Sequence, residues 1–366
     1  MTPLRLCSPQ LGIRPDAVLG GEVYDREILG GLARLGVSVD IPLLGQLDHD
    51  RALPWQVRTG RLPTANTLRG SIPNALFFAQ MAGHRYDVIR VFELRYVGWA
   101  ATTMQRIRGT PVVFHLNHLE PGQNMHPIDG WLARRCQGFT TLSEHTRRAV
   151  IGHYRLGSLP GWVIPPGVDD RYQPQQGRRP KNHPVLLYLG AIIERKNLAV
   201  LIDAVALLQT AGWTVDLLLA GSGDAAYQQR LVARAAALGV GDRVRFLGRV
   251  TEAEKIALYN ACDIFVFPSR REGFGMAPAE AMACGTPVIV ADAGALPEVV
   301  GEAGILADPM RAESFSLAIQ SLLDDPVRRR QLGAAGRDHV RTHFRWDHAA
   351  RQTLAVYETV RSRRGR

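Results

Sequence analysis

The chain of 366 residues has no apolar run that approaches the roughly 18 to 20 residues a helix needs to cross a bilayer. Its start, "MTPLRLCSPQLG", lacks the basic residues and the long apolar core of a signal peptide. The four cysteines show neither metal-ligand nor redox spacing: Cys7, Cys136, Cys262 and Cys284. These absences argue against a membrane-spanning protein and against a cysteine-based site, and they predict a cytoplasmic location.

Acidic residues are outnumbered by basic ones, 34 to 44, which gives a formal net charge of +10. Such a surface attracts nucleic acid, anionic lipid headgroups or phosphorylated substrates. The chain lacks the block of basic and aromatic residues that binds single-stranded nucleic acid, so no nucleic-acid partner is expected. Its arginines are spread along the sequence, which favours a solvated basic surface over a dedicated polyanion site. Peripheral contact with the inner face of an anionic membrane stays open.

Short apolar runs alternate with longer segments of helical period, a pattern typical of parallel βα units. The length suggests two domains, since domains average about 150 residues. A stretch rich in proline and glycine, Trp162 to Pro184, marks the boundary between them. We therefore expect an α/β protein with a first domain over 1–170, a second over 171–345, and a C-terminal helix with a basic tail over 346–366.

The expected strands differ in spacing between the two halves. In the first half, the region Leu44 to Asn66 breaks the rhythm with prolines, glycines and mixed charge, and we expect a long loop there. In the second half six apolar runs follow one another regularly: "VLLYLG", "VDLLLAG", "VRFLG", "IFVFPS", "PVIVAD" and "GILADP".

A dinucleotide fingerprint is only half present. "AGSGDAA" (Ala220 to Ala226) satisfies the loose G-x-G-x-x-A pattern between a strand and a helix. An NAD site also needs an acidic residue about 20 positions later, at the end of the next strand. Here "VRFLG" ends at Gly248 and is followed by Arg249, so the NAD interpretation fails. What remains is a glycine turn that either binds phosphate or packs closely.

No metal site is expected. "DHD" (Asp48 to Asp50) could hold a divalent ion against a nucleotide sugar, but no strand runs into it and short acidic triplets are common. His115 and His118 lie three apart at a strand end, so their side chains would point to opposite faces. A single histidine at the carboxyl end of a strand is better placed to meet a ligand.

Two segments could bind an anion. In "ERKN" (Glu194 to Asn197), Arg195 and Lys196 lie just before an apolar helix, where the helix dipole prefers carboxylates. A bound anion would offset that conflict; the alternative is a solvated basic pair. Gly20 and Gly21 precede the first long helix and offer backbone amides at its N-terminus.

Two glutamates eight residues apart stand in "RREGFGMAPAE". Glu272 is expected in a loop after the apolar strand "DIFVFPS", and Glu280 in the first turn of the next helix. The amides of Phe274, Gly275 and Met276 would lie between them as an anion-binding nest. A glutamate in a first turn is also ordinary capping chemistry, whereas Glu272 among glycines has no such explanation.

The segment Asp263 to Pro309 resembles the signature of GT-B-fold retaining glycosyltransferases of family 4, whose E-x7-E hallmark is matched by Glu272 and Glu280. Further matches run through most of the chain: Gly20–Gly21, "TLSEHTRRAV", "VIPPGVD", "YLGAIIERKNLAVLIDA" and "LAGSGD". In this order they are specific for the family and not for a substrate. The resemblance implies two Rossmann-like domains facing across a cleft, the first binding acceptor and the second a nucleotide sugar.

The resemblance also implies an activity and a site. A hexose would pass from a nucleoside diphosphate sugar to a glycan, lipid or small-molecule acceptor, with retention and without a metal or other cofactor. Glu280 would bind the ribose and Glu272 the sugar, while Arg195, Lys196 and the amides of the nest would bind the diphosphate. The implied catalytic residues are Glu272, Lys196, Arg195 and His118, with His115 as the alternative histidine; the implied donor-binding residues are Gly20, Gly21, Gly190, Arg249, Val250, Gly273, Phe274, Gly275, Met276 and Glu280.

One departure bears on this site. Family members commonly carry arginine directly after the glycine of "YLG", where this chain has Ala191. Arg195 is the candidate replacement for the missing cation; without a replacement, donor binding would be weaker or the protein non-catalytic. The alternatives are a GT-B-fold epimerase or phosphorylase, and a non-catalytic basic module that docks on membranes.

Overall fold

A computed structural model describes residues 3–9, 20–44, 56–60, 71–92, 94–119, 125–175 and 182–363. The chain divides into two compact units, one combining Met1–Gly167 with Trp346–Arg366 and the other comprising Val168–Arg345. No helix within the described ranges is long and apolar enough to cross a membrane.

Each unit is built on a parallel sheet. The strands of the first unit are β1 (Arg5–Cys7), β2 (Ser38–Leu44), β3 (Gln56–Gly60), β4 (Val88–Val91), β5 (Val112–Leu116), β6 (Gly138–Thr141) and β7 (Gly161–Val163). Those of the second are β8 (Val185–Leu189), β9 (Asp216–Ala220), β10 (Val244–Gly248), β11 (Ile264–Phe267), β12 (Val288–Ala291) and β13 (Ile305–Ala307). Their orders are β3-β2-β1-β4-β5-β6-β7 and β10-β9-β8-β11-β12-β13.

Helices connect these strands. They are α1 (Gly20–Arg34), α2 (Ser71–Ala82), α3 (Leu94–Arg108), α4 (Pro127–Ala133), α5 (Glu144–Tyr154), α6 (Ala199–Thr210), α7 (Ala225–Ala237), α8 (Glu252–Ala261), α9 (Met276–Ala283), α10 (Leu296–Val300), α11 (Ala312–Leu323), α12 (Pro326–His343) and α13 (Trp346–Ser362). Every residue of the central strands β4, β5, β11 and β12 is buried, as expected for parallel strands covered on both faces.

In both sheets the strand order reverses between the first strand and the fourth, that is, between β1 and β4 and between β8 and β11. This is the doubly wound, Rossmann-like order that the sequence predicted. Connections leaving the two strands at the reversal run to opposite sides, which opens a crevice at the carboxyl ends of the strands where ligands bind.

The C-terminal helix belongs to the first unit, whereas the sequence suggested that 346–366 stands apart. Helix α13 packs on α1 so closely that a Cβ on Gly31 would lie 2.6 Å from Cβ of Ala350. Tyr24 of α1 also lies against Trp346, with the ring centroids 5.9 Å apart. The first unit is therefore built from both ends of the chain.

The expectation of a long loop over Leu44 to Asn66 is wrong for part of that region. Strand β3 pairs in parallel with β2, with Asp40 opposite Gln56 and Leu44 opposite Gly60. Similarly, β7 begins at Gly161 and pairs with β6, so the expected linker starts inside a strand. Both strands are at sheet edges, where a strand does not need a continuous apolar run.

Candidate functional site

The loops after β8 and β11 meet where the strand order of the second sheet reverses. The two strands pair directly, with Leu186 opposite Ile264. A short 3-10 turn, Glu194–Lys196, follows β8, and Glu272 lies in the turn that follows β11. The topology therefore brings the predicted basic pair and the first predicted glutamate to one place.

Two cations share one carboxylate oxygen at this place. Nζ of Lys196 lies 2.5 Å from Oε1 of Glu272, and Nη1 of Arg195 lies 3.5 Å from the same atom. The better bond of Arg195 goes to the carbonyl of Arg271, at 2.8 Å. Only 11% of the Lys196 side chain and 14% of the Glu272 side chain are exposed. The cluster carries one more positive than negative charge at a partly exposed sheet edge.

The second oxygen of Glu272, Oε2, accepts no hydrogen bond from any residue in the described ranges. A carboxylate oxygen can accept two hydrogen bonds, so Oε2 is available to a ligand hydroxyl. Ala191, at the place where the family commonly has arginine, is exposed, and its carbonyl accepts from the hydroxyl of Tyr188. Arg195 stands beside Lys196 on the carboxylate of Glu272, and its role as the replacement cation stays a prediction.

Two residues that sequence reasoning did not single out hold these loops in place. Asn197 has a left-handed backbone with φ of 59°, and its Nδ2 donates to the carbonyls of Pro268 and Pro309. Gly294 has φ of 60°, and a Cβ there would lie 2.8 Å from the backbone N and O of Glu272. An asparagine that closes a polar turn was a usable signal, since asparagine tolerates the left-handed region.

Helix α9 begins at the other side of Glu272 without a side-chain cap. Its N-cap is Gly275, with φ of 124°, and no side chain accepts from the amides of the first turn. Gly273 and Phe274 connect Glu272 to this helix, and the Phe274 ring packs edge-on against Phe344. The first amides of any helix lack partners within it, so this end suits an anion.

The start of α7, in the glycine turn of "AGSGDAA", is different. Oδ1 of Asp224 accepts from the amides of Ala226 at 2.8 Å and Tyr227 at 3.1 Å. A carboxylate of the chain thus occupies the position that a phosphate would take. A Cβ on Gly221 would lie 1.9 Å from the carbonyl oxygen of Gly190. This turn serves close packing between β8 and β9, and Gly190 is part of that packing.

Glu280 is buried at the second turn of α9, not at the first as expected, since it is the fifth residue of the helix. Its Oε2 accepts from the Tyr259 hydroxyl at 2.9 Å and lies 3.2 Å from Nζ of Lys255. Burial raises the pKa of Glu280, while the Lys255 charge and the hydrogen bond from Tyr259 act in the opposite direction. Glu280 is therefore no helix cap, and α8 supplies its partners.

The predicted base-binding residues lie further along the sheet. Arg249 and Val250 follow β10, the edge strand next to β9, and Arg249 is exposed. They share the carboxyl edge of the sheet with Lys196 and Glu272 but stand two strands away from β8.

In the first unit the structure separates the two candidate histidines. His115 is buried, with its ring nitrogens 2.8 Å from the Thr140 hydroxyl and from the side-chain oxygen of Asn117. Its ring stacks on Tyr24, and burial together with the Arg90 charge lowers the pKa of His115 to about 3. His118 is half-buried in the loop beyond β5, which makes it the better candidate for a ligand.

Of the other features predicted in the first unit, the structure describes the glycine pair and leaves out the acidic triplet. Gly20 and Gly21 are the first two residues of α1, whereas the sequence placed them just before this helix. Asp48 to Asp50 lie outside the described residues. Within the described ranges, no group of three or more histidine, cysteine or acidic residues is arranged to hold a metal.

Comparison with known proteins decides the family. The model described as "Glycosyl transferases group 1" matches residues 169–339, and that described as "Glycosyltransferase Family 4" matches residues 18–172. The chain is also 35% identical to D-inositol 3-phosphate glycosyltransferase from Segniliparus rotundus, over 93% of this chain and 84% of that protein. The chain belongs to the glycosyl transferases group 1 family. It is a glycosyltransferase with E-x7-E residues at Glu272 and Glu280.

This glycosyltransferase is also similar to a glycogen synthase and to two solved structures. Glycogen synthase from Mycobacterium tuberculosis is 28% identical, over 75% of this chain and 69% of that protein. Among solved structures, sucrose-phosphate synthase from Thermosynechococcus elongatus has a TM-score of 0.81 at 24% identity, covering 98% of this chain and 99% of that one. HepE from Anabaena, solved with UDP and glucose, has a TM-score of 0.75 at 21% identity, covering 97% of this chain and 100% of that one. These structures establish the GT-B fold.

Proposed function

We propose that this glycosyltransferase moves a hexose from a nucleoside diphosphate sugar to a glycan, lipid or small-molecule acceptor, with retention and without a metal ion. The observation that carries the proposal is the sharing of Glu272 by Lys196 and Arg195 beside the uncapped start of α9. The UDP and glucose bound to HepE, a protein of the same fold, support a nucleotide-sugar donor.

The diphosphate of the donor would lie between the two cations and the start of α9. Lys196 and Arg195 supply positive charge, and the amides of Phe274, Gly275 and Met276 supply oriented donors. Glu272 neutralises only one of the two cations, so an anion arriving here gains net attraction. The free oxygen of Glu272 would accept from a hydroxyl of the sugar, next to the phosphate.

The nucleoside would extend along the same sheet edge. Glu280 would accept from the ribose hydroxyls, and the base would lie near Arg249 and Val250. Gly20, Gly21 and His118 keep the roles expected from the family resemblance, with the glycines against donor or acceptor and the histidine near the sugar.

This arrangement suits cleavage of the bond between the anomeric carbon and the phosphate oxygen. As that bond breaks, negative charge grows on the leaving diphosphate and positive charge on the sugar ring. Preorganised cations and amides stabilise charge where it develops, which is usually the largest catalytic contribution. The leaving phosphate oxygen would take the proton of the acceptor hydroxyl as that hydroxyl bonds to the anomeric carbon from the same face.

Calorimetry and product analysis test the proposal. The protein should bind one of UDP, GDP or ADP, and should consume the corresponding sugar nucleotide with a suitable acceptor. Glu272→Gln should lower turnover by about 10² to 10³. Arg234→Met is the matched control, since it removes an exposed arginine that pairs with Asp203 elsewhere in the same unit. Full turnover by Glu272→Gln would sink the assignment.

The finer parts of the proposal have separate readouts. The anomeric configuration of the product, read by NMR, distinguishes retention from inversion. Unchanged turnover in excess EDTA is expected if the cations replace a metal. A sugar that appears on inorganic phosphate indicates a phosphorylase, and an altered free sugar nucleotide indicates an epimerase; either product would replace the transferase assignment.

Contact with an anionic membrane is a second element of the proposal, favoured by a surface on α3 and α4. Trp99 is 41% exposed, and its ring lies 4.6 Å from that of Trp131. The Arg135 guanidinium lies 3.2 Å from the Trp131 ring centroid, and Arg106 is exposed two turns after Trp99. Residues 94–119 and 125–137 contain five arginines and one acidic residue, Asp129, which is buried. An exposed indole ring beside a half-buried one, among arginines, suits an anionic lipid headgroup layer.

Sedimentation with vesicles tests this surface. The protein should bind vesicles that contain phosphatidylglycerol and not vesicles of phosphatidylcholine alone, and Trp99→Ser should weaken the binding. Leu317→Ser is the matched control, because Leu317 is 66% exposed on the second unit. Equal binding by both variants, or binding that ignores lipid charge, would exclude this surface.

A further inference from the structure

Glu280 is held by two residues that stand four apart on α8. The Tyr259 hydroxyl donates to Oε2 at 2.9 Å, and Nζ of Lys255 lies 3.2 Å from Oε2 and 3.3 Å from Oε1. Residues four apart in a helix lie on the same face, so α8 presents both donors to α9 together. Lys255 therefore bridges the two oxygens of the carboxylate and prevents it from rotating.

Lys255 has further partners besides Glu280. Its Nζ lies 3.0 Å from Oε1 of Glu252, and the Tyr172 hydroxyl donates to the other oxygen of Glu252 at 2.6 Å. The same Nζ lies 5.2 Å from the centroid of the Tyr172 ring. An ammonium with two carboxylates and an aromatic face around it has little freedom to leave the position that it occupies.

The electrostatic balance of this cluster depends on Lys255. The groups that act on Glu280 are Lys255, Tyr259 and Glu252. Burial raises the pKa of Tyr172 and of the Cys284 thiol, and the Glu280 charge raises both further. Burial and the Glu252 charge raise the pKa of Glu280, whereas Lys255 lowers it. Without Lys255, Glu280 and Glu252 would share the cluster with no cation acting on Glu280, since Arg171 acts on Glu252 and on Tyr172. Glu280 would then take up a proton at a higher pH.

The donors on α8 leave part of the carboxylate for a ligand. A carboxylate has about four lone-pair sites, and Tyr259 and Lys255 occupy three of them. The remaining site on Oε1 can accept from a ribose hydroxyl, as the Proposed function requires of Glu280. A protonated Glu280 would have fewer acceptor sites, and a rotated one would direct them elsewhere.

We propose that Lys255 and Tyr259 are positioning residues for the ribose of the donor: together they hold the Glu280 carboxylate in the orientation and charge in which it accepts from the ribose hydroxyls. This inference rests on the proposed role of Glu280. It extends the donor site to α8, beyond the E-x7-E residues themselves.

Calorimetry with matched nucleotides tests the inference on the full chain. UDP, GDP and ADP are compared with their 2′-deoxy and 3′-deoxy forms, and the nucleotide that the wild-type protein binds is carried forward. The wild type should prefer the ribose form by about tenfold. Lys255→Met and Tyr259→Phe should lose most of that preference, as should Glu280→Gln. Lys255→Arg should recover part of it.

The dependence on pH and the kinetic constants provide readouts that a merely structural role would not move. As the pH is lowered from about 8.5 to 5.5, affinity for the ribose form should decrease once Glu280 takes up a proton. This decrease should begin at a higher pH in Lys255→Met than in the wild type. For the sugar nucleotide, KM should rise with kcat nearly unchanged, since the ribose is remote from the bond that breaks. Tyr259→Phe removes one hydroxyl only and keeps the test available if Lys255→Met does not fold.

The outcomes separate this inference from the Proposed function. A wild-type protein that binds no nucleoside diphosphate overturns the Proposed function itself, and a Glu280→Gln variant that keeps the ribose preference overturns the role of Glu280. If both hold but Lys255→Met and Tyr259→Phe keep the wild-type preference and pH profile, the positioning role is overturned. Arg234→Met, as the matched control, should behave as the wild type in every arm.

Discussion

The two sheets reverse their strand order in the same way but carry different charges near the reversal. In the first unit, Arg90 on β4 pairs with Asp25 on α1, and the side chains are 2% and 7% exposed. In the second unit, Lys196 and Arg195 share Glu272, and all three side chains are partly exposed. The first arrangement has one cation for one carboxylate, whereas the second has two cations for one carboxylate.

The difference separates a structural ion pair from a candidate binding site. The Arg90 pair lies in the core, among Tyr24, His115 and Tyr357, where a free ligand has no access. The Lys196 cluster has an excess of positive charge, an oxygen of Glu272 with no donor among the described residues, and the uncapped start of α9 beside it. Strand topology alone therefore does not make a site; accessibility and unbalanced charge do.

The largest expected effect comes from breaking the buried pair. Arg90→Met leaves Asp25 charged in the core and should lower the free energy of unfolding by about 3 to 5 kcal/mol. Urea denaturation measures the loss. The double variant Arg90→Met with Asp25→Leu should recover most of the stability, because no buried charge remains. A variant of normal stability that loses nucleotide affinity would show that this pair belongs to the binding site after all.

Replacing a lysine of the second unit by methionine should affect activity more than stability. Lys196→Met should reduce kcat/KM by about 10² to 10³, which corresponds to about 2.7 to 4 kcal/mol of transition-state stabilisation. Its effect on unfolding should be smaller than that of Arg90→Met, since Glu272 keeps Arg195 nearby and is partly solvated. Steady-state kinetics and a melting curve measured on one preparation check both parts. Loss of stability equal to that of Arg90→Met, with turnover intact, contradicts the comparison.

The sequence predicts apolar strands well and polar strands poorly. The central strands of the second unit were recognisable because buried parallel strands read as continuous apolar segments, and its edge strands β10 and β13 are also short apolar runs. The edge strand β3 reads "QVRTG" and has only one aliphatic residue, so its position depends on pairing with β2. That pairing is a tertiary contact that no local pattern encodes.

The candidate site also contains residues that the sequence predicts and residues that it does not. Arg195 and Lys196 were predicted because their charges conflict with the helix start that follows them, and Glu272 because a glutamate among glycines has no capping role. Both signals are visible along the chain. Lys255 and Tyr259 were not predicted, because "EAEKIALYNA" reads as an ordinary amphipathic helix with a capping box. Their importance appears only when α8 packs against α9 and presents them to Glu280.

A smaller effect on stability is expected from His115 as the pH falls. The folded protein keeps His115 neutral to about pH 3, whereas in the unfolded chain histidine takes up a proton near its ordinary pKa of about 6.5. The stability of the first unit should therefore be complete above about pH 6.5 and fall by about 1.4 kcal/mol per pH unit below it. Hydrogen exchange of β5 amides between about pH 4.5 and 7 measures this slope. His115→Gln should lack this contribution, whereas His118→Gln should keep it.

The smallest expected effect distinguishes the two helix starts of the second unit. Asp224→Ala removes the side chain that accepts from the first amides of α7 and should cost about 1 kcal/mol of stability. Nucleotide affinity should stay unchanged, because the carboxylate occupies that helix start in place of a ligand. In the same calorimetric series Gly275→Ala should weaken binding, since a Cβ there would lie 2.8 Å from Cδ2 of Leu296 and displace the uncapped start of α9. If Asp224→Ala instead changed nucleotide affinity, the phosphate would have to be placed at α7, and Lys196 would lose its role.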